Sequence, residues 1–269
     1  MRVCVVNVSE WIQGFHDLWF GMMTDSLKKV LRPDTQVEIR SVKPGLKGDN
    51  AMDFDNVYYD LLNKRQVADV VVQAEREGFD AAVVGCFGDT GVKEARAVVE
   101  MPVIGAGETA ILFACQLGRR LGIIATNMPE QIAAIEDKIV LMGLTSRLAP
   151  RGVRFDIHPF AETWEKGLQD AKFVADGVEQ RASEMVADGA DVIVIGCCGI
   201  GPFCSLAGFS KMEVDGRTIP IIDPMMVSMK TAEMAVELKQ GIGLPFTSMA
   251  IPPREDVDRV RANFGLLTG

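Results

Sequence analysis

The stretch GFDAAVVGCFG at residues 78–88 recurs as GADVIVIGCCG at residues 189–199. At this offset of 111 residues, six of the eleven positions are identical, and one of them is a cysteine. Each copy is a short apolar run between glycines, which is typical of a buried strand in a parallel sheet that ends in a loop. The repeat therefore predicts two similar lobes, each with a central strand that ends at a cysteine.

The rest of the chain fits the same plan. Short β-branched runs alternate with longer amphipathic segments, which predicts βαβ units around parallel sheets. We expect an α/β fold with one lobe at residues 1–105, completed by 224–269, and a second lobe at 106–223. The predicted strands are 2–8, 36–42, 81–85, 103–104, 121–125, 153–157, 192–196 and 219–222, and the predicted helices are 17–31, 58–78, 106–118, 129–142, 171–188 and 224–240.

Composition excludes several classes of protein. The 269 residues are 48% hydrophobic and 24% charged, as in an ordinary globular protein. A net charge of −9 without a basic run argues against nucleic acid as a partner. The longest uncharged stretch, residues 192–210, is interrupted by glycines and a proline, so we expect no membrane span. No export signal is evident, and we expect a cytoplasmic protein.

The cysteines carry the chemical prediction. Six are present, and the cytosol would keep them as free thiols. A single cysteine at a strand end is usually a small buried hydrophobe. Duplication of Cys86 and Cys197, each flanked by glycines, instead indicates a reaction that needs one thiol on each face of a planar intermediate. Ligands collect beyond the carboxyl ends of parallel strands, so we expect the two thiols on opposite sides of one cleft.

Residues around the two thiols complete the predicted site. Backbone N–H groups of the following loops are expected to favour the thiolates and to hold an enolate oxygen. The predicted substrate-binding residues are Asn7, Phe87, Gly88, Asp89, Thr126, Asn127, Cys198 and Gly199. Asn7, Thr126 and Asn127 follow predicted strands, either as hydrogen-bond donors to the substrate or as helix caps. Cys198 aligns with Phe87 in the repeat, which favours a place in the wall.

Three blocks resemble a known family. VGCFGD at residues 84–89, GAGETA at 105–110 and IGCCG at 195–199 are similar to blocks of hydantoin racemases in the aspartate/glutamate racemase superfamily. The resemblance implies two pseudo-symmetric flavodoxin-like lobes, one catalytic cysteine from each, and a 1,1-proton transfer. It also implies that Asn7 and Thr126 lie at strand ends that line the pocket.

The sequence departs from its relatives in two places. Hydantoin racemases usually begin with a segment like Asn-Pro-Asn-Thr, where this chain has NVSEW at residues 7–11. The Cys-Asn-Thr and Cys-Thr-His segments of glutamate racemases are absent, which argues against glutamate as the substrate.

We therefore predict a two-base racemase or epimerase that acts on a 5-substituted hydantoin or a related amino-acid derivative. Trp11, Phe15 and Phe87 are expected to accommodate the substituent. We expect no metal, because His16 and His158 are too scattered, and no other cofactor, because nucleotide motifs are absent. The remaining alternatives are an amino-acid racemase, a maleate-type isomerase, and a binding protein without activity; paired cysteines argue against an arylmalonate-type decarboxylase. We expect a homo-oligomer whose partner is a small-molecule substrate.

Overall fold

The computed structural model describes residues 1–47, 53 and 56–266. The first half contains β1 (Arg2–Ser9), α1 (Phe15–Leu27), β2 (Gln36–Leu46), α2 (Val57–Arg76), β3 (Ala81–Val84), α3 (Val92–Arg96) and β4 (Val103–Gly105). The second contains α4 (Ala106–Leu117), β5 (Leu121–Ala125), α5 (Gln131–Leu141), a 3₁₀ turn (Thr145–Arg147), β6 (Leu148–Phe155), α6 (Phe160–Gly167), α7 (Ala171–Ala187), β7 (Val192–Ile195), α8 (Gly201–Leu206), β8 (Lys211–Val214) and β9 (Arg217–Ile222). Helices α9 (Pro224–Ile242) and α10 (Arg254–Asn263) follow.

The strands form two sheets with matching topology. The first has the order β2-β1-β3-β4, and the second has the order β6-β5-β7-β9-β8. All neighbours are parallel except β8 and β9. The repeated strands β3 and β7 hold equivalent central places, and every residue in both is buried. The prediction of two similar α/β lobes is confirmed.

Strand β8 was not predicted. It pairs with β9 through the two-residue turn Asp215-Gly216, in which both residues have positive φ, 51° and 73°. Two such residues in a hairpin turn are the signature of type I′, for which Asp-Gly is a favoured sequence. The local signal for this hairpin was therefore present in the sequence.

Apolar packing joins the lobes. One continuous cluster of buried side chains includes residues of both sheets, and a second cluster lies between the first sheet and helices α2 and α3. After the second sheet, α9 returns to pack against β3, β4 and α4. Asp258 in α10 forms an ion pair with Arg76 in α2. The end of the described chain thus packs on the first lobe. Among the described residues, no helix is long and apolar enough to cross a membrane.

Candidate active site

The two repeated strands deliver their cysteines in the same way. Beyond β3, the Gly85 N–H donates to the Val6 carbonyl at 2.9 Å, and beyond β7, the Gly196 N–H donates to the Ile124 carbonyl at 2.7 Å. A Cβ atom at Gly196 would lie 2.9 Å from that carbonyl oxygen, so the close approach of the strands requires glycine there. Each cysteine therefore begins its loop at the carboxyl end of a central strand.

Cys86 and Cys197 line one cavity between the lobes. The cavity has a volume of about 460 Å³, which suits a small-molecule ligand. Both cysteines are free and partly exposed. The cavity therefore carries one thiol from each lobe.

Hydrogen bonds are directed at both sulfur atoms. The Gly199 N–H donates to Cys197 Sγ at 3.3 Å, and the hydroxyl of Thr90 lies 3.8 Å from Cys86 Sγ. Burial raises the pKa of both thiols, while the N–H groups of Gly88 and Gly199 oppose that rise. The loop N–H groups therefore favour the thiolates, as expected, although burial has the larger effect on the pKa. The Gly199 N–H is directed at the Cys197 sulfur.

The structure brings most of the predicted substrate-binding residues to this cavity. Its lining includes Asn7, Phe87, Gly88, Thr126, Cys198 and Gly199. Cys198 is only 3% exposed and its pKa is raised well above the ordinary value by burial, as suits a wall residue.

Two predicted residues lie outside the lining. Asn127 is exposed to solvent. The Asp89 carboxylate accepts hydrogen bonds from the backbone N–H groups of Gly107 and Glu108, both at 2.8 Å, where α4 begins. Asp89, predicted to bind substrate, therefore caps α4 in the structure.

The amide nitrogen of Asn7 is engaged within its own lobe. Its Nδ2 lies within hydrogen-bond distance of three acceptors, the Ser9 carbonyl at 3.0 Å, the Ser9 hydroxyl at 3.0 Å and the Ser41 hydroxyl at 2.9 Å. Because a carbonyl can only accept, these contacts fix the orientation of the amide. Among the described residues, no hydrogen bond to Asn7 uses Oδ1, which leaves this oxygen able to accept from a ligand N–H.

An aromatic wall, formed by Phe15, Trp19, Phe160 and Trp164, closes one side of the cavity. Phe15 and Trp19 belong to α1, and their ring centroids lie 5.3 and 5.8 Å from that of Trp164 in α6. These edge-to-face contacts join α1 of the first lobe to α6 of the second along the cavity. Sequence reasoning missed α6, although the i, i+4 spacing of Phe160 and Trp164 was a signal that both share one helix face.

Trp11 differs from expectation, and His16, which had no predicted role in substrate binding, belongs to the cavity wall. Trp11 does not line the cavity; it is 46% exposed and packs edge-on against Phe20 at 5.0 Å. His16 does line it and is 2% exposed. His16 Nδ1 lies 2.7 Å from the Ile12 N and 3.3 Å from the Ile12 carbonyl oxygen, and Nε2 lies 3.0 Å from the Ser9 hydroxyl. Burial lowers the pKa of His16, which favours the neutral ring.

The lining carries little charge. Among the described residues that line the cavity, Lys47 is the one charged side chain. The described part of the chain also contains no cluster of His, Cys, Asp and Glu side chains that could hold a metal ion.

Comparison with known proteins agrees with the geometry. Residues 23–232 match the Asp/Glu/Hydantoin racemase family. A hydantoin racemase of Pseudomonas sp. (strain NS671) is 30% identical over 212 residues, which cover 78% of each chain. An allantoin racemase from Klebsiella pneumoniae superimposes with a TM-score of 0.72 at 20% identity, covering 94% of both chains. An allantoin racemase from Pseudomonas fluorescens gives 0.71 at 23% identity, with coverage of 94% of this chain and 97% of that one. This chain belongs to the Asp/Glu/hydantoin racemase family.

Proposed function

We propose that this protein racemises a 5-substituted hydantoin by proton transfer between Cys86 and Cys197. The observation that carries the proposal is the pair of free thiols, supplied by equivalent strand ends of opposite lobes to one cavity. Buried packing alone does not require this duplication. A protein that only binds its ligand has no use for it either.

The reaction needs one thiolate and one thiol. The thiolate removes the proton from C5, which is acidic because it adjoins the C4 carbonyl, and becomes a thiol. The electron pair is delocalised onto the carbonyl oxygen, and the planar carbon then takes a proton from the opposite thiol. That second sulfur becomes the thiolate, and the stereocentre is inverted. No cofactor takes part in this scheme.

The lining favours a neutral cyclic amide over an amino acid. A free aspartate or glutamate would bring two carboxylates, yet the described lining offers a single cation, Lys47. The ring N–H of a hydantoin can donate to Asn7 Oδ1, because the contacts of this amide with the described residues are made by its nitrogen. The similarity to a hydantoin racemase supports the same substrate class.

Allantoin is the second candidate, favoured by the similarity in fold to two allantoin racemases. Both structures are less than 25% identical in sequence to this chain. Allantoin carries a polar ureido group at C5, whereas the aromatic wall here suits an apolar substituent. We therefore propose that the natural substituent is apolar.

A substrate panel tests this proposal. We expect rapid exchange of the C5 proton of 5-benzylhydantoin in deuterated water, slower exchange for allantoin, and no α-proton exchange for aspartate or glutamate. Exchange is followed by ¹H NMR above the uncatalysed rate of each compound. Exchange of aspartate or glutamate without exchange of any hydantoin would contradict the proposal.

The pH dependence follows from burial of the thiols. Because burial raises the pKa of Cys86 and Cys197 above the ordinary thiol value, the thiolate fraction falls as pH falls below it. We expect kcat/KM to rise through the range from about pH 7 to about pH 9, up to tenfold per pH unit. At still higher pH it should fall, because the opposite thiol loses its proton. A profile that is flat between about pH 6 and about pH 9 would show that buried thiols are not the acid and base.

A further inference from the structure

The loop after Cys86 is held by a residue of the opposite lobe. Lys138 in α5 donates to the Phe87 carbonyl oxygen at 2.7 Å and to Asp89 Oδ2 at 2.5 Å. The side chains of Lys138 and Asp89 are only 17% and 12% exposed. The ion pair therefore crosses from one lobe to the other at the turn that follows Cys86.

The other end of this ion pair is fixed as well. Asp89 caps α4 through the Gly107 and Glu108 N–H groups. Its own N–H donates to the Cys86 carbonyl at 3.0 Å, which closes a tight turn over residues 86–89. Asp89 has a φ of 57°, in the left-handed region that few residues other than glycine adopt. A strained turn thus persists because Lys138 and α4 hold it from both sides.

The loop after Cys197 is supported differently, by a neutral donor of the opposite lobe: Trp19 in α1 donates through Nε1 to the Gly199 carbonyl at 3.3 Å. At the repeat offset of 111 residues, Ile200 stands where Asp89 stands, and its side chain is fully buried. The turn after Cys197 is closed by its own backbone, with the Ile200 N–H donating to the Cys197 carbonyl at 3.2 Å. The pseudo-symmetry therefore fails at this position.

We propose that Lys138 is a positioning residue for Cys86 and has no such role for Cys197. It holds the turn that aims the Gly88 N–H at the Cys86 sulfur, and it places a positive charge near that thiol. The predicted effect of Lys138 on proton exchange rests on the function proposed above. The predicted difference in reactivity between the Cys86 and Cys197 thiols does not.

The charges near each thiol agree with this assignment. Burial raises the pKa of Cys86. The Gly88 N–H, the Thr90 hydroxyl and the Lys138 charge lower this pKa, in that order, and the Asp89 charge raises it more weakly. Glu108 faces Asp89 but is paired with Arg96. The groups that lower the pKa of Cys197 are all neutral: the N–H groups of Gly199 and Ile200 and the Thr126 hydroxyl.

Alkylation of the individual thiols tests the proposal without any substrate. Iodoacetamide labelling of Cys86 and Cys197 is followed by peptide mass spectrometry between about pH 7 and about pH 10. In Lys138→Met we expect labelling of Cys86 at about pH 8 to slow by about tenfold, while labelling of Cys197 stays within about twofold of the parent. Lys138→Arg, which keeps the charge, should stay close to the parent at both thiols.

Lys172→Met is the matched control, because Lys172 forms an exposed helical ion pair with Asp176. It should leave both labelling rates unchanged. Equal slowing of both thiols in Lys138→Met, or no change at either, would overturn the proposal. If Lys138→Met fails to fold, Lys138→Gln keeps a donor for the Phe87 carbonyl but lacks the charge, and the same results are expected.

Deuterium exchange separates this inference from the proposed function. With Cys197→Ser as the background, Cys86 is the remaining base, and Lys138→Met should slow C5 exchange by about tenfold. With Cys86→Ser as the background, the same change should have little effect. If Lys138→Met slows labelling of Cys86 alone but the parent shows no C5 exchange, the role of Lys138 is supported and the proposed function is rejected. If the parent exchanges the C5 proton but Lys138→Met slows labelling of both thiols or of neither, the proposed function is supported and the role of Lys138 is rejected.

Discussion

Cys86→Ser and Cys197→Ser are each expected to lower the rate of racemisation by about 10²–10⁴-fold. A serine hydroxyl is far less acidic than a thiol, so it can neither supply a comparable base nor return a proton as readily. Inversion needs both groups in the same turnover. Loss of either one is therefore sufficient to stop it.

The two variants should nevertheless differ in what they retain. Each keeps one thiol that faces the C5 proton of one enantiomer, so slow exchange of that proton with solvent can continue without inversion. We expect Cys86→Ser and Cys197→Ser to exchange opposite enantiomers. Separate samples of each enantiomer, followed by ¹H NMR and chiral chromatography in deuterated water, measure exchange and inversion independently.

Cys198→Ser is the control, since Cys198 lies in the same cavity wall but aligns with Phe87 rather than with either proposed base. It should keep most of the parental rate. Full racemisation by Cys86→Ser would contradict the mechanism. So would an inactive Cys198→Ser beside an active Cys197→Ser, because the base would then be the wrong one of two adjacent thiols.

The features that the sequence predicted well are local and repeated. The pattern of Gly-x-Asp, four apolar residues and then Gly-Cys-x-Gly identifies β3 and β7, because a buried parallel strand and its exit both leave marks within eleven residues. In a parallel sheet, ligands bind beyond the carboxyl ends of the strands, so the ends of β3 and β7 are both expected to lie at a binding site. The family relationship and the cavity with two thiols follow from the same short segment.

Features that depend on distant contacts were not predictable in this way. Lys138 meets Phe87 across 51 positions of sequence, and Trp164 meets Phe15 from the other lobe. Neither residue has a local pattern that marks it as part of the site. The effect of burial on the thiol pKa was not predictable for a related reason: the motif implies the loop N–H groups, whereas the burial that outweighs them arises from packing.

Gly107→Ala and Gly21→Ala are expected to have opposite effects, although both replace a glycine within a helix. A Cβ atom at Gly107 would lie 2.0 Å from the Phe87 carbonyl oxygen and 2.9 Å from Lys138 Nζ. Because a backbone carbonyl cannot swing aside, the turn after Cys86 must move. At Gly21 in α1, no atom lies within 4 Å of the added methyl group.

For Gly107→Ala we expect the free energy of unfolding to fall by about 1–3 kcal/mol, as for other overpacked sites. Its kcat/KM should fall by about 10²-fold, because a small displacement of the turn misaligns the Cys86 thiol. Gly21→Ala should gain about 0.5–1 kcal/mol, since alanine costs less conformational entropy in a helix, and should keep its activity. Urea denaturation and steady-state kinetics of both variants measure these effects. Parental stability and activity in Gly107→Ala would show that the turn after Cys86 has room to move and that its position does not limit catalysis.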